Sequence, residues 1–276
     1  MPDRIVFSHA NGFPLPVYRR VLDALGPDFE CTGVQRFGHD PSRPVTLGWP
    51  YLVDELTEFV CALPSANGRL WLVGHSLGGY LSVLAAQRLP GRVAGIVLLD
   101  SPLFTGLSSA FVKFGRWTGL DRLVMPLRQT LQRRWHWPDH EAVHAHYAAK
   151  PAFARWNPQV LRDYTEHCTV PDGRGRRELL FDRNIEYRIY RSLPTDQVRA
   201  ALPELKVPIA FIGGRDSYEL RSVGLRTTRA VVGPRLYWIE GSHLFPMEAP
   251  EQTAAMIRRA AEAITAITDH AGEPAA

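Results

Sequence analysis

Arg69-Leu70-Trp71-Leu72-Val73-Gly74-His75-Ser76-Leu77-Gly78-Gly79-Tyr80 is the stretch on which the reading of this chain turns. Residues 69–73 are a run of strand length, closed by Gly74. Residues 77–89 read as a helix that stops at Pro90-Gly91. Between them stands G-x-S-x-G, a pattern that recurs by chance, so its weight comes from the strand–turn–helix setting. A turn this tight strains the serine backbone, and bulky neighbours two residues either side would clash. Gly74 and Gly78 remove those clashes. Ser76 Oγ is then lifted to the top of a sheet at a helix N-terminus, where the dipole favours a developing oxyanion. Rival readings fail at single positions. A phosphate-binding P-loop needs Lys where Tyr80 stands, and a dinucleotide loop needs glycine in place of Ser76.

Working outward, further apolar runs at 4–7, 29–34, 93–99, 207–212 and 236–239 read as strands. Helical spacing is read over 17–25, 49–63 and 249–267. Strands apolar on both faces, alternating with helices, predict an α/β fold: a mostly parallel sheet covered by helices on both faces. The rhythm breaks between Ser101 and Leu205. Helical stretches are expected there at 108–117, 121–134, 140–149 and 158–167, with a turn at Pro171-Asp172-Gly173-Arg174-Gly175. An insertion after a strand's C-terminal end sits where such sheets bind ligands. The expected organisation is a core of 1–102 and 205–270, a helical cap of 103–204, and a flexible tail of 271–276.

Composition narrows the function. The chain has 276 residues, 45% of them hydrophobic and 22% charged, which excludes a disordered, collagenous or coiled-coil chain. No apolar run approaches the roughly 18 residues of a membrane span, so no membrane partner is expected. The net charge of +4 comes from the insertion, where 101–205 hold 16 basic and 11 acidic residues. Only three of the basic residues in the chain are lysine, and no dense basic stripe with interleaved aromatics appears, so nucleic acid is not an expected partner. Cys31, Cys61 and Cys168 show no pairing pattern, and no export leader precedes the first strand. The expected location is cytoplasmic.

A serine needs a base, and the base needs an orienting group. The strand at 207–212 is followed by Gly213-Gly214-Arg215-Asp216, and that at 236–239 by Glu240-Gly241-Ser242-His243. Ser76, Asp216 and His243 thus occur in the chain order of one kind of catalytic triad. Asp100 also ends a strand and is the rival acid; the Gly-Gly-Arg-Asp context favours Asp216.

With these residues in view, the chain resembles α/β-hydrolase-fold serine hydrolases with a helical cap. The resemblance rests on Gly74-His75-Ser76-Leu77-Gly78-Gly79, on Gly213–Asp216 and on the stretch from Gly241 to Pro250, and it spans the chain outside the cap. Ser8-His9-Ala10-Asn11-Gly12-Phe13-Pro14 resembles the family's oxyanion loop, with Ala10 where glycine is usual. The resemblance implies Ser76 as nucleophile, His243 as general base and then acid, and Asp216 as the carboxylate that holds the imidazole. It also implies an oxyanion hole made by the backbone N–H groups of Asn11 and Leu77. It further implies a sheet of about six strands that lacks the family's first two, with a different edge, which puts homo-oligomerisation in play.

The cap tryptophans Trp117 and Trp156 are the candidate substrate-binding residues, against the alternative that they pack cap helices on the sheet. His136, His140, His144 and His146 lack a clean ligand set, so neither metal nor cofactor is expected. The expected activity is cofactor-independent hydrolysis of a small carboxylic ester through an acyl-enzyme. Carbon–carbon, lactone or amide hydrolysis by the same triad, or a hydrolase-fold ligand receptor with little turnover, are the alternatives.

Overall fold

The computed structural model describes residues 2–64, 68–103 and 127–271. β1 (Asp3–Ser8) leads through a 3-10 turn, Leu15–Tyr18, into α1 (Arg19–Ala24). β2 (Phe29–Thr32), α2 (Pro50–Ala62), β3 (Leu70–His75), α3 (Leu77–Arg88) and β4 (Gly95–Leu99) follow. The inserted segment contributes α4 (Leu127–Gln132), β5 (His136–Trp137), α5 (His140–Ala148), α6 (Pro158–His167), β6 (Thr169–Pro171), β7 (Arg177–Leu179), α7 (Arg183–Arg191) and α8 (Thr195–Ala201). The chain then returns through β8 (Ile209–Gly214), α9 (Tyr218–Val223), α10 (Arg226–Val232), β9 (Leu236–Ile239), α11 (Phe245–Glu248) and α12 (Pro250–Ala271).

Six strands form one sheet in the order β2-β1-β3-β4-β8-β9, and every neighbouring pair is parallel. The inner strands β3, β4 and β8 are buried almost end to end, whereas β2 and β9 at the edges are half-buried. That burial explains the unbroken apolar runs of the inner strands: helices cover both faces. Ile5, Phe7, Trp71, Val73, Val97 and Ile212 point to one side, against Val21 of α1 and Ile257 and Ile264 of α12. Val6, Leu72, Ile96, Leu98 and Phe211 point to the other, against Leu52 and Leu56 of α2 and Leu81 and Val83 of α3. The strand order reverses direction between β1 and β3, so the loops that follow these two strands face each other across the switch point.

Two expectations need adjustment. The helix expected at 17–25 is a 3-10 turn followed by a shorter α1, because Pro14 and Pro16 enter at its start and Pro16 has no N–H to give. The inserted segment is not purely helical: β5, β7 and β6 pair antiparallel, and the turn expected at Pro171–Gly175 closes the β6–β7 hairpin. Asp172 stitches that turn, accepting from the N–H groups of Arg174 and Arg176. The helix expected at 108–117, with Trp117, and the start of that at 121–134 lie outside the described residues, as does the tail beyond residue 271.

Candidate active site

Ser76 stands between β3 and α3 at φ 54°, ψ −117°, a left-handed backbone that a non-glycine residue adopts only when its surroundings enforce it. The enforcement comes from close approach. A Cβ on Gly74 would collide with the Gly78 carbonyl, and one on Gly78 with the Ser8 carbonyl. The two glycines therefore let the turn fold on itself and let the loop after β1 press against the first turn of α3.

His243 lies in the loop after β9. Its Nε2 is 3.0 Å from Ser76 Oγ and its Nδ1 is 2.7 Å from Asp100 Oδ2. A carboxylate only accepts, so Nδ1 carries the proton and donates to Asp100, leaving Nε2 free to accept from the serine hydroxyl. Burial alone would lower the His243 pKa; the hydrogen bond and charge of Asp100 outweigh it and hold the imidazole above its usual value.

Asp100 is wholly buried and sits at φ 46° just past the end of β4. Its Oδ1 accepts the Gly214 N–H at 2.8 Å, and its Oδ2 accepts Ser217 Oγ–H at 2.6 Å in addition to His243. Charge-assisted donors on both oxygens offset the cost of burying the carboxylate.

The expectation for Asp216 is corrected here. The structure brings Ser76, His243 and Asp100 together and leaves Asp216 outside. The Asp216 carboxylate is half-exposed, accepts Arg155 Nη1 at 2.9 Å, and lies 3.7 Å from Arg221. Its position explains this. The Gly-Gly pair before it serves Asp100, through the Gly214 N–H, and the next residue, Ser217, both caps α9 and donates to Asp100. Asp216 is carried past the imidazole to the surface. One signal was available in the sequence: Asp100 directly closes an apolar strand.

Asn11 and Leu77, the residues expected to donate to an oxyanion, are both buried. The Ala10 N–H is committed to Tyr18 Oη at 3.1 Å, which leaves the Asn11 N–H as the candidate donor of the pair. The Asn11 side chain points elsewhere, donating to the Glu186 carbonyl of α7 at 3.0 Å. His9 is framework: its Nε2 accepts the Phe37 N–H at 3.3 Å, so Nδ1 donates to the Ala10 carbonyl at 2.8 Å. Burial pushes the His9 imidazole down to about 4, so it is neutral near pH 7.

Trp156 is buried. Its ring packs on Phe153 and on Phe13 of the oxyanion loop, and the next residue's N–H, of Asn157, donates to Met247 just past the His243 loop. Over the same loop, Arg133 spans both Glu186 oxygens (2.8 and 2.9 Å) and the hydroxyls of Tyr147 and Tyr164, next to Gly12. His136 and His140 face separate carboxylates, Glu178 and Glu166. Asp100, Glu219 and His243 bring donor atoms within 4.8 Å of one another, a spacing within reach of a metal ion. The Asp100 and His243 atoms are already joined by a proton at 2.7 Å. Among the described residues no helix is long and apolar enough to cross a membrane.

Comparison with known proteins agrees with the fold. Over 135 residues the chain is 32% identical to a pimeloyl-[acyl-carrier protein] methyl ester esterase of Sodalis glossinidius, covering 47% of this chain and 48% of that protein. It is 32% identical over 91 residues to a human serine hydrolase-like protein, covering 32% of this chain and 44% of that one. The chain thus spans less than half the length of these relatives. Among solved structures, a thioesterase domain from the curacin biosynthetic pathway superposes with a TM-score of 0.70 at 19% identity, over 93% of this chain and 91% of that one. A Mycobacterium tuberculosis esterase superposes at 0.67 and 18% identity, over 94% and 84%. The model of the alpha/beta hydrolase family matches residues 5–256, and with the serine turn set after the third strand of this parallel sheet, the chain belongs to that family.

Proposed function

We propose that the chain is a cofactor-independent serine hydrolase acting on a small carboxylic ester. The observation that carries this reading is the unbroken hydrogen-bonded line from Ser76 Oγ through His243 to buried Asp100. Ser76 Oγ attacks the substrate carbonyl as His243 Nε2 takes its proton, and Asp100 stabilises the imidazolium and keeps its tautomer. The carbonyl oxygen becomes an oxyanion held by the backbone N–H groups of Asn11 and Leu77. His243 then returns the proton to the leaving alcohol. Water, deprotonated by the same nitrogen, attacks the acyl-enzyme, releases the acid and restores Ser76.

Residues 103–204 are read as a cap over this centre, with the bond type set by the core and the acyl preference by the cap. An ester is favoured over an amide, lactone or carbon–carbon bond because two of the curated relatives are methyl ester esterases. Three free cysteines fit a reducing, cytoplasmic setting. A fluorophosphonate probe checks the nucleophile directly. It labels the folded protein at Ser76, and Ser76→Ala loses both labelling and ester turnover by at least about 10³-fold. Undiminished turnover in folded Ser76→Ala eliminates the reading. A panel of p-nitrophenyl esters beside amides, lactones and vinylogous diketones then fixes the bond type.

A further inference from the structure

Tyr18 and His75 take no part in the proton transfers above, yet both are almost wholly buried beside them. Their hydrogen bonds can be oriented without ambiguity. The His243 carbonyl can only accept, so His75 Nε2, 2.9 Å away, donates to it. A neutral imidazole has one N–H, so His75 Nδ1 accepts, and the Tyr18 hydroxyl at 2.8 Å donates. That hydroxyl in turn accepts the Ala10 N–H at 3.1 Å. The line therefore runs one way, from the Ala10 N–H through Tyr18 and His75 to the His243 carbonyl. The Tyr18 ring meets the His75 ring edge-on, with centroids 5.8 Å apart, and the His75 ring lies tilted beside that of His243 at 5.0 Å.

We infer that Tyr18 and His75 are positioning residues that hold the oxyanion loop and the base in register with each other. The inference rests on the reading of Ser76, His243 and Asp100 as the reacting groups. At one end, the Ala10 N–H is fixed by Tyr18, while the Ala10 carbonyl accepts from His9 at 2.8 Å and from the Phe13 N–H at 3.1 Å. The Ala10 carbonyl and the Asn11 N–H share one planar peptide unit, so fixing the carbonyl aims the donor. At the other end, the backbone before His243 is held by Glu248, which accepts the Ser242 N–H at 3.1 Å, and the backbone after it by His75. Burial and the neighbouring His243 both keep His75 neutral, so it does not repel the imidazolium that forms on His243.

The test uses p-nitrophenyl acetate with Tyr18→Phe, His75→Leu, His75→Gln and Ser76→Ala. Tyr18→Phe leaves the Ala10 N–H and His75 Nδ1 unpaired, and kcat falls about tenfold with KM within about twofold. His75→Leu breaks both links, and kcat falls about a hundredfold. His75→Gln can again present an N–H to the His243 carbonyl and regains at least about tenfold over His75→Leu. Merely structural side chains would not give this rescue or this split between kcat and KM. Tyr18→Phe keeps its ring packed on Phe7, so it stays folded even where His75→Leu does not. Near-parental kcat in Tyr18→Phe, or no advantage of Gln over Leu at 75, overturns the inference while an inactive Ser76→Ala leaves the triad reading standing. An active, folded Ser76→Ala removes both.

Discussion

Asp100 and Asp216 follow the ends of neighbouring strands, β4 and β8, and share almost nothing else. Asp100 is wholly buried and takes donors from Gly214, Ser217 and His243. Asp216 is 49% exposed and takes arginines, Arg155 from the inserted segment and Arg221 from α9. A carboxylate that must hold an imidazole in one tautomer needs a fixed, dry position with its lone pairs occupied; one that pairs with guanidiniums at the surface needs neither. Strand order makes the difference. β4 lies directly beside β3, which carries Ser76, whereas β8 is one strand farther away.

The strongest way to break this contrast is Asp100→Asn. Asparagine tolerates the left-handed backbone at 100, so the fold survives. The lost charge and wrong tautomer should lower kcat on a p-nitrophenyl ester by on the order of 10³–10⁴-fold. The pH profile should change as well. Activity needs neutral His243, so kcat/KM rises with pH through its pKa, which Asp100 holds above the ordinary imidazole value. In Asp100→Asn the residual activity should have its acidic limb at lower pH, because the group that raised that pKa is gone. An unmoved limb would mean the coupling is absent.

Ser217→Ala sharpens the comparison. It removes one donor from Asp100 Oδ2 and the cap that accepts the Leu220 N–H. Turnover should fall about tenfold, and thermal or urea unfolding should show a loss of about 1 kcal/mol. The smallest effect is expected at Asp216→Asn, with turnover within about twofold of the parent. Unfolding should lose less than about 1 kcal/mol, since exposed ion pairs contribute little. If Asp216→Asn proves more damaging than Asp100→Asn, the acid belongs on the later strand.

How much could be read in the residues follows the same physics. The inner strands and their helices were legible because burial on both faces leaves an unbroken apolar run, and because G-x-S-x-G between a strand and a helix has one geometric purpose. α6 is met at its expected start, where Asn157 caps the helix and Pro158 opens it. The small sheet of the insertion was not legible: β5 has two residues, and β6 ends on Pro171, so neither shows an alternation. The choice of acid failed for another reason. Local sequence shows that an aspartate follows a strand, but not whether Ser217 and Gly214 fold back to bond a different one. The link between Tyr18 and His75 carried no signal, since it joins residues 57 positions apart.

The carboxylate at Asp100 is also a point of assembly in time. Ser76 and Asp100 precede all three partners of that carboxylate, Gly214, Ser217 and His243, which come more than a hundred residues after Asp100, beyond the whole insertion. On the proposed reading of Ser76, His243 and Asp100, a chain that stops short of β9 therefore carries a serine with no base to activate it.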